Sequence, residues 1–290
     1  MANRPVLQVV PPQRAHVGEN FTIRRTLPSH TLEQADPFLM LDHFGPFYQE
    51  PNKPGGVGPH PHRGFETVTY LLEGYVGHRD STGAEAVIGP GELQWMTAGA
   101  GIVHAERPPQ HFVQSGGTVH GVQLWVNLAA AHKNVPPRHQ ELAKQNVPML
   151  QPAAGVTVRV LAGRYAGKQS PIELLTDVTI LHVTVHPGAQ VAIDLAYPTL
   201  VAQVLQGAGL FGEAGTPAAA GHLVQWGHEA GTALLAAAPQ AAEPLEALVL
   251  AGQPLNEPVV SYGPFVMNTP QQIYQAIDDY NAGRMGVLME

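Results

Sequence analysis

The chain has 290 residues, a formal charge of −8 and 44% hydrophobic residues, too apolar a composition for a disordered polymer. It has no cysteine, which excludes a disulfide framework and any thiolate-ligated metal site. Fifteen Lys plus Arg against 23 Asp plus Glu argue against a direct nucleic-acid binder that works by neutralising phosphates.

From the N-terminus onward, MANRPVLQVVPPQR lacks the apolar core of a signal peptide. No run approaches the roughly 18 apolar residues of a membrane span. The expectation is a cytoplasmic protein without a membrane partner. Short apolar runs bounded by glycine and proline follow: TVTYLL (67–72), GVQLWVNL (121–128), VTVRVL (156–161), VTILHVTV (178–185) and LVAQVL (200–205). These read as strands, and their close spacing predicts an all-β fold. A proline-rich stretch at 135–154, with a short polar helix at 138–145, divides an N-terminal domain (1–134) from a C-terminal one (155–290). The alanine-rich TALLAAAPQAAEP (232–244) reads as strand plus loop. One helix is signalled near the end. Thr269 can N-cap, Pro270 suits the first helical position and Gln272 completes a capping box. Ile273, Ile277 and Tyr280 then share a face, and Gly283 can terminate it. LLEGYVG (71–77) echoes VLQGAGL (204–210), and GPGELQW (89–95) echoes AGHLVQW (220–226), as a duplicated barrel would.

Histidine is the unusual residue: there are 15, as many as Lys plus Arg, and 11 lie in the first 145 residues. In GPHPHRGFETVTY, His60 and His62 are two apart, and side chains at i and i+2 of a strand share a face. Pro61 between them suits a strand edge. In AGAGIVHAERPP, His104 and Glu106 repeat the spacing. Three imidazoles and a carboxylate on neighbouring strands suit one divalent first-row ion, such as Fe(II), Mn, Co, Ni, Cu or Zn. Glu66 competes for the carboxylate role, provided no bulge near Gly64 changes its parity; its other role is to accept from an imidazole N–H. Trp95 and Trp125 read as core residues by default, with pocket lining as the alternative. Asp42 and His43 can approach the site or serve the structure. The glycines at 99–101 lack the spacing of a phosphate loop, and no Gly-x-Ser-x-Gly elbow supports a serine hydrolase.

The strings DPFLMLDHFGP (36–46), HPHRGFETVTYLLEG (60–74), PGELQWMTAGAGIVHAE (90–106), GVQLWVNL (121–128) and LVLAGQPLNEPVVSYGPFVMNT (248–269) resemble the pirin family of the cupin superfamily, over nearly the whole chain. The resemblance implies two tandem jelly-roll-like cupin barrels with a short C-terminal helix. It implies a metal, usually iron, bound in the N-terminal barrel by His60, His62, His104 and Glu106, which sets Glu66 aside. If Gly74 matches Gly207, then His60, His62 and Glu66 map to Ile193, Leu195 and Thr199, so the C-terminal cupin is expected to be metal-free.

The activity implied is a metal-dependent dioxygenase of the quercetin 2,3-dioxygenase type, cleaving a flavonol-like aromatic substrate with O2. In it Glu106 serves as ligand and as catalytic proton acceptor. The alternative is an iron-dependent, redox-sensing regulatory module that binds a protein partner without turnover. An isomerase or storage-type cupin is a third reading.

Overall fold

The computed structural model describes residues 3–17 and 21–288. Contacts divide the chain into two compact units that interleave along it. One comprises Arg14–Ile23, Phe38–Lys144 and Leu255–Glu290; the other comprises Met1–Gln13, Arg24–Pro37 and Gln145–Pro254. The units therefore do not coincide with the segments 1–134 and 155–290. The stretch 135–154 is divided between them after Lys144.

In the first unit, the middle of a seven-stranded antiparallel sheet runs Leu93–Thr97, Phe65–Glu73, Gly117–Asn127, Phe38–Gln49. A four-stranded sheet runs Val57–His62, Ile102–Arg107, Val76–Asp80, Glu85–Ile88. The second unit repeats this order strand for strand. Its larger sheet runs Leu223–Trp226, Thr199–Gln206, Leu245–Gly252, Val178–Val185, and its smaller one Gln190–Asp194, Thr232–Ala236, Ala208–Phe211, Thr216–Ala219. The sequence echoes fall on matched places. Gly74 and Gly207 follow equivalent strands, at φ +84° and +70°. There a β-carbon would meet a backbone carbonyl at 2.8 and 2.4 Å respectively. The TALLA part of the alanine-rich stretch is the strand Thr232–Ala236, followed by loop.

The interiors differ. In the second unit both sheets contribute to one contiguous apolar core, which includes Val158, Leu181, Val183, Val191, Ile193, Phe211, Trp226 and Leu235. In the first unit one apolar cluster comprises Ile23, Phe44, Leu71, Ile88, Phe112 and Val119, and the buried side chains also include the imidazoles of His62, His78 and His104.

The terminal helix is Pro270–Asn281, with the Thr269–Gln272 capping box in place. Ile273 and Ala276 are buried on it and pack with Val103, Phe265 and Met267 of the same unit, with Ile277 alongside. Tyr280 is half-exposed at 39%, so the buried stripe runs 273, 276, 277. The polar helix expected at 138–145 is instead the strand Arg138–Leu142, paired from Arg138 with Thr97 to Leu142 with Leu93. Edge pairing satisfies its backbone groups and overrides local helix propensity. A single 3₁₀ turn, Lys144–Asn146, follows. The helix Gln110–Ser115 had no sequence signal. No helix of the described residues is long and apolar enough to cross a membrane.

Candidate metal centre

Strand pairing brings the predicted imidazoles together. Val57–His62 runs antiparallel to Ile102–Arg107 with His104 opposite His60 and Ile102 opposite His62. The ring centroids lie 4.3 Å (His60–His104), 4.8 Å (His60–His62) and 4.9 Å (His62–His104) apart. One nitrogen from each ring lies within 4.8 Å of the others. His62 and His104 are buried and His60 is partly so.

The hydrogen bonds show which nitrogens are available. His60 Nδ1 lies 2.8 Å from the Gly58 carbonyl, to which it can only donate, leaving Nε2 as the lone-pair nitrogen. His104 Nε2 and His62 Nδ1 are buried without a hydrogen-bond partner. Burial, reinforced by the neighbouring His60, pushes His62 down to about 3. Burial and then the surrounding imidazoles hold His104 well below the usual histidine range. Both are neutral rings, the form that ligates metals. A buried polar atom left without a partner costs about 1–3 kcal/mol. Two such nitrogens, on rings that each bring a nitrogen within 4.8 Å of the others, therefore fit a bound divalent ion.

Glu106 lies two residues along the same strand, but not in this group of three. The pairing with Val57–His62 shifts register between His104 and Glu106. The Glu106 carboxylate sits instead among neutral donors. Thr69 Oγ1 (3.1 Å) and Gln94 Nε2 (2.6 Å) donate to Oε1, and Gln123 Nε2 (3.0 Å) donates to Oε2. It lines a pocket together with Asp42, Thr69 and Gln123, whose apolar wall includes Phe44, Phe47 and Phe112.

Glu66 is on the other face of its strand. Gly64, at φ +87°, turns the chain between His62 and Phe65, and the interior-facing set switches from even to odd numbers. Phe65 meets His62 edge to face at 5.2 Å, and Thr69 reaches Glu106. Glu66 accepts from the Thr97 hydroxyl at 2.7 Å rather than from an imidazole. Burial raises its pKa, only partly offset by the hydrogen bond from Thr97. Trp95 is fully buried. Trp125 stands edge to face with His62 at 5.4 Å and walls the site. His43 faces away from the pocket that Asp42 lines and pairs with His120, Nε2 to Nε2 at 2.7 Å.

Sequence reasoning did not single out His78, Asp80 and His139. His78 Nε2 lies 2.9 Å from Asp80 Oδ2, and its Nδ1 lies 3.4 Å from His104 Nδ1. His139 stacks on it, with centroids 4.2 Å apart and planes at 19°. Burial and the adjacent His78 push His139 down to about 4. Burial raises Asp80, but hydrogen bonds from His78 and Thr82 outweigh that and hold it at about 2. The signal was present: His-x-Asp in VGHRDSTG has the same i, i+2 spacing as the ligand pairs.

Residues 20–126 match the pirin family profile, and residues 180–286 match the pirin C-terminal cupin domain. A tomato (Solanum lycopersicum) pirin-like protein is 40% identical over 98% of this chain and 93% of its own length. The chain belongs to the pirin family. A Pseudomonas aeruginosa pirin relative, whose name assigns it provisionally as a quercetin 2,3-dioxygenase, is 41% identical over 93% of this chain and 94% of its own. A 1.88 Å crystal structure titled quercetin 2,3-dioxygenase, from Acinetobacter baumannii, superposes with a TM-score of 0.91 at 34% identity, covering all of both chains. The two units are thus the two cupin barrels of a pirin. In the second, Ile193 and Leu195 are buried in the apolar core, and Thr199 accompanies them as a buried hydroxyl that donates to the Asp36 carbonyl.

Proposed function

We propose that this pirin is a metal-dependent dioxygenase that opens the ring of a flavonol-like aromatic with O2, in the manner of a quercetin 2,3-dioxygenase, with Fe(II) as its ion. The carrying observation is the convergence of three imidazoles, two with unpartnered buried nitrogens, beside a carboxylate-bearing aromatic pocket. The names of the Pseudomonas relative and the Acinetobacter structure support it. The same donors accept Cu, Ni, Mn, Co or Zn, so availability decides among ions.

His60, His62 and His104 hold the ion, and Glu106 is its fourth donor. When bound, the ion supplies Lewis acidity toward an acidic hydroxyl and an electron route to O2. Phe44, Phe47 and Phe112 offer flat apolar surface to an aromatic ring and exclude water from it. Glu106 receives the substrate hydroxyl proton on its carboxylate. Gln94, Gln123 and Thr69, all donors to that carboxylate, keep it an acceptor aimed into the pocket. The cavity is about 80 Å³, below the roughly 300 Å³ at which organic-ligand pockets begin. A flavonol therefore enters only when side chains at the mouth move aside.

The test is anaerobic reconstitution with Fe(II), followed by quercetin and O2. Loss of the flavonol absorbance with release of carbon monoxide is expected. Absence of turnover with each of Fe, Cu, Ni, Co and Mn would overturn this activity for flavonols.

A further inference from the structure

His78 and Asp80 lie on the strand Val76–Asp80, which pairs with Ile102–Arg107 on the side away from His60 and His62. The register sets Asp80 opposite His104 and His78 opposite Glu106, so His78 is the diagonal neighbour of His104. Both side chains are fully buried, and buried polar groups of this kind persist only where each is satisfied.

With His78 taken as a neutral ring, the hydrogen bonds leave one assignment of protons. Asp80 Oδ1 accepts from the Thr82 amide (2.8 Å), the Thr82 hydroxyl (2.6 Å) and the Ala84 amide (3.3 Å). Asp80 is therefore an acceptor-only carboxylate, and its Oδ2 must receive a proton from His78 Nε2. A neutral His78 then presents a lone pair at Nδ1. The Nδ1–Nδ1 contact with His104 needs one proton, which must sit on His104. With Nδ1 protonated, His104 carries its lone pair on Nε2, the buried nitrogen that has no partner. His139, stacked on His78, holds the plane of the intervening ring.

We propose that Asp80 and His78 form a relay that fixes the tautomer and orientation of His104, so that its Nε2 lone pair is presented to the metal. Metal-bound histidines ordinarily donate their second N–H to a carboxylate or carbonyl; here a second imidazole transmits the carboxylate's effect. His78 and Asp80 are positioning residues. The inference rests on the metal-centre part of the proposed function, and not on the reaction.

Two measurements test it. The first uses wild-type protein without metal: ¹⁵N-histidine NMR should show His104 protonated at Nδ1 and His78 at Nε2. His104 protonated at Nε2 overturns the relay, whatever the site binds. The second is the dissociation constant for Fe(II) or Ni(II), measured anaerobically by competition with a chelator. His78→Leu should weaken binding by about 10–100-fold in a variant that still melts cooperatively, though at a lower temperature than wild type because Asp80 loses a buried donor. Asp80→Asn should weaken binding and lose the fixed His104 tautomer in the NMR spectrum. A folded His78→Leu variant with wild-type affinity overturns the proposal. If His78→Leu does not fold, the wild-type spectrum decides alone. A wild-type protein that binds no metal would refute the metal centre, and the NMR result would still decide whether the relay exists.

Discussion

Lys133 is a fully buried charge in the first barrel outside the metal centre. It is 1% exposed, and its ammonium donates to Gly64 O (2.7 Å), Asn127 Oδ1 (2.7 Å) and Val266 O (3.1 Å). Burial pushes it down to about 8, only partly offset by Glu257. Lys133→Met keeps most of the apolar stem and removes all three donors. Three neutral acceptors then lose their donor, at about 1–3 kcal/mol for each that stays buried without another partner. The pH dependence isolates the charge. A base whose folded pKa is depressed binds fewer protons when folded, so it destabilises fully below about pH 8 and releases that cost as pH rises toward its unfolded value of 10.5. Between pH 7 and pH 10 the release amounts to about 2–3 kcal/mol. Wild type should therefore gain that much relative to Lys133→Met over this range, since other titrations cancel in the difference. Urea denaturation of both proteins at pH 7, 8, 9 and 10 measures it. A stability difference that stays flat with pH would refute the depressed pKa. A variant as stable as wild type at pH 7 would refute the value of the three hydrogen bonds.

Three further outcomes follow from the site. His60→Ala and His104→Ala should each abolish stoichiometric metal after dialysis, measured by elemental analysis; metal retained in either variant would remove these residues as ligands. Glu66 has a raised folded pKa, so its contribution is fully present below the unfolded carboxyl value and is lost as pH rises through the folded one. Glu66→Gln should therefore gain stability relative to wild type from pH 4 to neutrality, with metal content unchanged; a gain in the opposite direction would mean the carboxyl is ionised in the fold. At Gly64 a β-carbon would stand 2.0 Å from the Val266 carbonyl at φ +87°. Gly64→Ala should lower stability by about 3 kcal/mol and reduce metal loading, and a variant equal to wild type in both would show that the turn is not what sets the site.

Much of this was legible because the relevant physics is local. A strand's period of two puts His60 beside His62, and the capping box at Thr269 needs only four residues of sequence. The duplicated strand order showed through as two short echoes, because equivalent turns demand glycine at the same place. What failed to show was pairwise and distant. The parity flip at Gly64, which carries Glu66 to the other face, depends on Val266 lying across the turn, 202 residues away. The edge strand Arg138–Leu142 reads as a polar helix until Leu93–Thr97 is beside it. The same holds for the Glu106 cradle, since nothing in AGAGIVHAERPP announces that glutamines at 94 and 123 will meet its carboxylate. The interleaving of the units is likewise a property of contacts, not of composition along the chain.

The two barrels share a strand order yet use their interiors differently, and this has a thermodynamic consequence. On the small sheet of the second barrel, Val191, Ile193, Ala233 and Leu235 contribute to the apolar core. On the corresponding strands of the first, His60, His62 and His104 stand there, with two unpartnered nitrogens. The metal-free first barrel gives up apolar packing and carries unsatisfied donors or acceptors, so an ion that binds only the folded form should return part of that stability. At an ion concentration one hundred times its dissociation constant the gain is about 2.7 kcal/mol, equivalent to roughly 5–10 °C in melting temperature for a domain of this size. Calorimetry with and without a chelator reads it directly. The shift should disappear in His104→Ala. The same shift persisting in that variant would place the stabilising ion somewhere other than the three imidazoles.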